Sequence, residues 1–313
     1  MTTTIDRVLR SNLKLKHLQL VIALDQFRHL GRTAEFLSVT QPAVSRMLAE
    51  IEKMFGSALF VRSTKGTEPT TTGQTVIRFA RQVIAEYEKT RDALDMAQAG
   101  AVGRVSVGAM AVAIPVLLAQ AMCTFKQAMP AATVLVEEGD LTRLLPRLRM
   151  GELELIVGRL EPGYAAPDLH TEVLCAEPMR LICSPRHPLA TRQRVTWAQL
   201  QTQRWVMPPP WATSRTKLHQ LFYKNRLNPP TDCMESASYL ATLAFVQTQN
   251  AIGFVARNVA HHLQALGLVR VLPVALPMEL PPIGVMTLAG KLQGTAALKL
   301  VEGLRGAAAG WET

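Results

Sequence analysis

Residues 32–73 read RTAEFLSVTQPAVSRMLAEIEKMFGSALFVRSTKGTEPTTTG, and the organisation of the chain follows from them. Val44, Leu48, Ile51 and Phe55 recur at helical steps, so one helix carries them as a single apolar stripe. Pro42 suits the first turn of that helix, where a missing N–H costs nothing. Gly56 supplies its C-terminal stop. Gln41, Ser45, Arg46 and Glu50 fall on the other faces. Residues 32–37 make a shorter helix, and Ser38, Val39 and Thr40 form a turn with capping hydroxyls. Residues 58–71 alternate around a Lys65-Gly66 turn, the pattern of a hairpin.

Two short helices meeting at a tight turn, the second with small polar and basic side chains at its start, fit a major groove. Gln can pair with adenine and Arg with guanine through two hydrogen bonds each. Arg62 and Lys65 put cations at the hairpin, suited to phosphate or the minor groove. By spacing alone, an ordinary helical hairpin reads the same way.

Working outward, Leu18, Val21, Ile22, Leu24 and Phe27 predict a buried helix over residues 15–30, broken by Gly31. Thr72-Gly73 opens a long helix to about residue 99. Along it Val76, Ala80, Val83, Tyr87, Thr90, Leu94 and Ala97 alternate steps of four and three, the seam of a two-stranded coiled coil. Pairing with a second helix is expected; packing on its own domain is the alternative. Gly100 and Gly103 form a hinge-like linker. Beyond residue 104, short apolar runs (RVSVGAM, ATVLVEEGD, LELIVGRL, MRLICSP, RWVMPPP, AIGFVA) alternate with helical stretches, predicting α/β units on a parallel sheet.

The 313 residues are 48% hydrophobic, enough for a sizeable core, and carry a net charge of +10. Residues 1–66 hold ten Lys or Arg against five Asp or Glu, and residues 101–313 hold twenty against fourteen. The denser excess at the N-terminal end favours a polyanion there. Cys123, Cys175, Cys183 and Cys233 lie far apart without a CxxC pair, as expected of reduced core thiols. His261-His262 has no metal-ligand spacing to a carboxylate or thiol. No apolar leader or membrane-length run is seen, so a cytoplasmic protein without membrane contact is expected. No GxSxG, HExxH, P-loop or GxGxxG occurs, so neither an enzyme nor a bound cofactor or metal is expected. A secreted solute-binding protein would share two-lobed architecture but not the N-terminal head.

The run AEFLSVTQPAVSRMLAEIEKMFGSALFVR closely resembles the N-terminal domain of LysR-type transcriptional regulators. GELELIVGRL, PRHPLA and QNAIGFVARNVA extend the resemblance to the effector domain, over nearly the whole chain. GRL, WVMPPP and PRHPLA are most similar to the galactose-binding-protein and protocatechuate regulator branch. The resemblance implies an all-α winged helix-turn-helix head (1–71) and a dimerisation helix (72–99). An α/β effector domain (100–313) of periplasmic-binding-protein type follows, with two Rossmann-like lobes. Lobe I covers about 104–165 and 280–313, and lobe II about 166–279. The chain crosses between them near 161–176 and 275–282.

The same resemblance places Thr33, Thr40, Gln41, Pro42, Ser45 and Arg46 at the DNA, and Arg62 and Lys65 in the wing. Ala34, Leu37, Val44 and Leu59 become core. Thr33, Ile51 and Pro69 depart from the usual Ala, Leu and Leu, and Pro69 predicts a short second wing strand. The cleft residues are expected at strand ends and helix starts: Met110, Ala111, Asp140, Arg159, Ser214, Arg215, Ser236 and Ser238. Arg159 is the expected clamp for a carboxylate or phosphate, a surface Arg paired with a nearby Glu being the alternative, whereas Asp140 disfavours an anion unless it accepts a ligand hydroxyl. Pro208, Pro209, Pro210 and Trp211 read equally as a rigid rim to the cleft or as a plain loop. Promoter DNA, a small-molecule effector, RNA polymerase and other copies of the chain, as homodimer or homotetramer, are the partners implied.

Overall fold

A computed structural model describes residues 13–63, 66–98 and 103–311. The chain forms two compact units.

The first unit begins with α1 (Leu15–Phe27), which buries Leu18, Leu20, Val21 and Leu24. The break falls at Arg28, in the left-handed region at φ 52°, and not at Gly31. His29 then caps α2 (Leu30–Phe36), its Nδ1 accepting from the N–H groups of Gly31 and Arg32. A turn leads into α3 (Gln41–Phe55), which ends at Gly56 with φ 66°. Thr40 holds the N-cap position, but its hydroxyl makes no capping bond.

Strands β1 (Phe60–Ser63) and β2 (Gly66–Pro69) pair antiparallel, so the head is not all-α. Pro69 pairs with Phe60 and closes β2, which is as long as β1. Glu52 of α3 accepts from the N–H groups of Leu59 and Phe60, and Thr67 N–H donates to the Arg28 carbonyl at 2.9 Å. Gly66, with φ 123°, stands where a Cβ would lie 2.7 Å from that carbonyl. The wing is thereby fastened to both helical turns.

Helix α4 (Thr71–Gln98) follows. Val76, Ile77 and Ala80 are buried with Leu20, Leu24 and Leu59 in the core of the head. Asp25 of α1 pairs with Arg81 of α4 at 2.9 Å.

The second unit contains two five-stranded sheets. In chain order its elements are β3 (Arg104–Ala109), α5 (Ala119–Ala128), β4 (Thr133–Glu138), α6 (Leu141–Arg149), β5 (Leu155–Arg159) and β6 (Leu169–Cys175). Next come β7 (Met179–Cys183), α7 (Trp197–Gln201), β8 (Trp205–Met207), α8 (Thr213–Lys224) and β9 (Cys233–Glu235). The last are α9 (Tyr239–Thr248), β10 (Ile252–Ala256), α10 (Arg257–Ala265), β11 (Arg270–Val271), β12 (Ile283–Leu288) and α11 (Thr295–Ala309). Between β3 and α5 the wide π turn Ile114–Leu118 carries Pro115 in its first turn.

The first sheet runs β4-β3-β5-β12-β6 and the second β11-β7-β10-β8-β9. Each joins parallel pairs to antiparallel ones, so neither is the wholly parallel sheet expected. The cause is the double crossing, which brings each sheet a strand of opposite direction. The crossings fall where they were expected, but the bound of lobe I moves. Because β6 pairs with β12, the chain stays in lobe I to Cys175, not to residue 165, and lobe II starts after it. The return segment joins β11 to β12.

Each sheet is covered on both faces. Lobe I packs α5 and α11 on one side and α6 on the other. Lobe II packs α7 and α8 on one side, and α9 and α10 on the other. Cys175 and Cys183 are buried and Cys233 is half-buried, but Cys123 is exposed and is no core thiol. Burial pushes the Cys183 thiol up to about 12.

Candidate nucleic-acid interface and effector cleft

Helix α3 is amphipathic in the sense its sequence demands. Val44, Leu48 and Ile51 are buried, while Thr40, Gln41, Pro42 and Arg46 are exposed and Ser45 is half-buried. Among the described residues, no hydrogen bond or ion pair engages the Gln41, Ser45 or Arg46 side chain. Their donors and acceptors are open to an incoming duplex, and α2 buttresses the helix through Leu30 and Ala34.

Thr33 does not belong to this surface. It is 0% exposed and its hydroxyl donates to the His29 carbonyl at 2.9 Å, so the extra polar atom is satisfied within its own helix. Ala34, Val44 and Leu59 are core, and Leu37 packs against it half-buried. Arg62 lies on β1, paired across to Thr67, with its side chain outside the described residues; Lys65 lies outside them entirely.

The expected pairing seam divides. Val76 and Ala80 are buried in the head and Val83 packs against it, so this part of the stripe follows the alternative reading. Tyr87 is exposed, and the side chains of Leu94 and Ala97 lie outside the described residues.

In the second unit a cavity of about 460 Å³ opens between the two sheets. Met110, Ala111, Asp140, Arg159, Ser214, Ser236 and Ser238 line it. Arg215 does not. It is drawn off by Glu235, at 2.5 Å, and by the Pro208 carbonyl at 3.0 Å. Pro208, Pro209 and the 73% exposed Trp211 form part of the rim. Gly158 leaves room for Met110, whose side chain sits where a Cβ would be.

Arg159 is 6% exposed. Its Nη1 donates to the Pro281 carbonyl at 2.7 Å and its Nη2 to the Glu177 carbonyl at 2.8 Å. No carboxylate forms an ion pair with it among the described residues. Burial lowers its proton affinity, with Tyr239, Glu177 and Glu161 opposing through their charge. Met179 Sδ accepts from Nη2 as well, at 3.5 Å, so the buried guanidinium is hydrogen-bonded by carbonyls and a thioether, with Glu177 and Glu161 acting on it only through the field and not through a direct ion pair.

Asp140 precedes α6 and accepts from the N–H groups of Thr142 and Arg143 and from the Thr142 hydroxyl. The Thr142 bond leads in holding its carboxyl below the usual range. Ser238 caps α9 by accepting from Ala241 N–H, whereas Ser236 donates to the Ser238 carbonyl. Ser214 is inside α8, whose N-cap is Ala212, so neither Ser214 nor Ser236 caps a helix.

Among the lining residues that escaped the sequence reading, Thr213, Glu161, Tyr239 and Thr242 bring polar groups to the cleft. Thr213 donates to Glu161 at 3.0 Å, joining the start of α8 to the segment after β5 across the cleft. Tyr239 and Thr242 enter from α9, and burial pushes the Tyr239 hydroxyl up to about 12. Their only sequence signal was adjacency to Arg159, Ser214 and Ser238.

Comparison with known proteins agrees with both halves. Residues 15–74 match the bacterial regulatory helix-turn-helix protein, lysR family, and residues 98–309 match the LysR substrate binding domain. The HTH-type transcriptional regulator GbpR of Azospirillum brasilense is 30% identical over 302 residues, spanning 96% of this chain and 88% of its own. The regulator GalR of Pseudomonas putida is 29% identical over 290 residues, 93% and 73% of the two chains. In fold, the chain resembles the LysR-family regulator CbnR with a TM-score of 0.69 at 20% identity, covering 95% of this chain and 99% of that one. CbnR complexed with its target DNA gives the same TM-score over 94% of this chain and 100% of that one. With its helix-turn-helix head and two-sheet effector domain, this chain belongs to the LysR family of DNA-binding transcriptional regulators.

Proposed function

We propose that the regulator responds to a small hydroxylated acid held in the cleft. The observation that carries this is Arg159, a buried guanidinium at the cavity wall without an ionic partner among the described residues. An acid group there supplies the missing negative charge by paired hydrogen bonds. Asp140, after β4, lies two strands from β5, or about 10 Å at the usual strand spacing. Its carboxylate and the hydroxyls of Ser236 and Ser238 suit ligand hydroxyls, not a second acid group.

Residues 1–71 act as the DNA-reading head, 72–99 as the pairing helix and 100–313 as the effector domain. In this reading Thr40, Gln41, Pro42, Ser45 and Arg46 meet the major groove, and Arg62 and Lys65 flank it. The working species is a homodimer or homotetramer in the cytoplasm, paired along α4 beyond the head through Tyr87 and Leu94. Effector occupancy favours one lobe arrangement and so changes how paired heads sit on promoter DNA and meet RNA polymerase. The cleft serves sensing and not turnover.

A thermal-shift screen of hydroxy acids, plain acids and neutral sugars tests the ligand class, since a ligand that binds the folded state raises its melting temperature. Stabilisation by hydroxy acids alone is expected. Stabilisation only by neutral sugars overturns the acid reading. A mobility shift against the DNA upstream of its own coding region tests sequence preference, and affinity equal to that for random duplex counts against it.

A further inference from the structure

Residues 178–231 contain nine Arg or Lys and not one Asp or Glu. The charge of the effector domain is correspondingly lopsided. Residues 176–282, which form lobe II, hold eleven basic against four acidic side chains. Lobe I, residues 103–175 and 283–311, holds nine of each.

The fold gathers this acid-free stretch into one layer. The segment after β7, together with α7 and α8, covers the same face of the second sheet, burying Leu189, Leu200, Leu218 and Phe222 in a common core. Trp197 meets Phe222 edge to face with ring centres 5.0 Å apart, and Gln201 donates to the Asn228 carbonyl at 2.8 Å. These contacts hold the segment beside α8.

Arg204 and Arg215 are paired, with Asp232 and Glu235 from beyond the stretch. Arg180 donates to the Met179 carbonyl. The other six cations, Arg186, Arg192, Arg194, Lys217, Lys224 and Arg226, have no ion pair among the described residues. Five are exposed and Lys217 is half-buried. Besides Asp232 and Glu235, the carboxylate of Glu279 stands against the layer, in a groove with Lys217 and Lys224.

We infer that this face of lobe II docks on the phosphate backbone of duplex DNA, outside the base pairs read by α3. Its composition selects the partner. Protein interfaces centre on buried aromatic and aliphatic anchors. Apart from Trp211 at the cleft, the large apolar side chain this stretch exposes is Tyr223. Exposed Thr191, Gln193 and Gln220 stand among the cations instead, the donors that phosphate contacts use. A regulator seated on its promoter also keeps duplex at high local concentration, so weak contacts suffice.

The test compares the full-length protein with an Arg192→Glu/Arg194→Glu/Lys224→Glu variant on two duplexes from its own upstream region. One is trimmed to the protected segment and the other extended at both ends. With about 0.9 counterions released per phosphate contact, the salt dependence of affinity on the extended duplex should become shallower by about two to three in log–log slope. The slope on the trimmed duplex should stay the same. Unchanged slopes on both duplexes overturn the inference. So does an equal loss on both, which would be a diffuse field effect. Reduced transcription with unchanged slopes would assign the surface to an acidic protein instead. If charge reversal impairs folding, the Gln versions of the same three positions give the same comparison with a smaller change.

Discussion

The guanidinium of Arg159 and the backbone carbonyl of Glu177 lie 2.8 Å apart, tying the last residue of β5 to the segment by which the chain leaves lobe I. The second Nη of Arg159 reaches the Pro281 carbonyl, on the segment by which it returns. One side chain thus borders the cavity and holds both crossings. Arg159→Met leaves the buried Glu177 carbonyl and the half-buried Pro281 carbonyl unpaired and should cost about 2–4 kcal/mol by denaturant unfolding. It should also erase acid-induced stabilisation. A Met variant that still responds to acids would remove Arg159 from ligand recognition.

Arg46→Ala should weaken binding to the specific site by about 1–3 kcal/mol and relax preference at one base pair, if the guanidinium reads a base edge. Quantitative mobility shifts on specific and scrambled duplexes distinguish this from a phosphate contact, which would lower both affinities alike.

Thr33→Val removes a buried hydroxyl whose partner is the carbonyl four residues earlier. The bond is local, so stability should change by less than about 1.5 kcal/mol and DNA affinity should not change. A loss of affinity with the melting temperature preserved would return Thr33 to the interface.

Along α4, Val76→Asp and Tyr87→Asp should fail differently. Val76 is buried in the head, so a charge there should unfold it, seen as loss of cooperative melting. Tyr87 is exposed, so its variant should stay folded while its mass by light scattering falls towards that of one chain. A Tyr87 variant of unchanged mass would place subunit pairing elsewhere.

Burial lowers the proton affinity of His17 and His187 from 6.5, and the Nδ1 of His187 accepts from Leu189 N–H. Below about pH 6.5 the unfolded chain therefore binds more protons at these sites, and stability falls as pH drops. Glu177, raised chiefly by desolvation, works in the opposite direction at lower pH, so the histidine variant is the readout. His187→Gln should flatten the decline in melting temperature between pH 7 and 5.5; an unchanged decline would show that His187 carries none of it.

Much of the head was legible because its signals are local. The stripe of Val44, Leu48 and Ile51, with Pro42 and Gly56 at the ends, specifies α3 within fifteen residues. Thr33 was misplaced because a hydroxyl satisfied within its own helix looks the same in sequence as one facing DNA. The seam was misread at Val76 and Ala80 because an intramolecular core and a partner helix both require steps of three and four. In the effector domain β5 stood out as a continuous apolar run, buried along its length. Strand β6 did not, since an edge strand is half solvated and its pairing with β12 joins residues more than a hundred positions apart. Arg215 was drawn from the cleft by Glu235, a long-range pairing that no local pattern announces.

The double crossing also sets an order of assembly on the ribosome. Lobe II is one uninterrupted run of chain, complete once β11 has emerged. Lobe I must wait, because β12 lies between β5 and β6 and is made only afterwards. As domains fold in units while synthesis proceeds, the inserted lobe closes first and the one begun earlier finishes last. A nascent chain stalled before Ile283 would therefore carry a finished lobe II beside a lobe I whose edge strand has nothing to dock on.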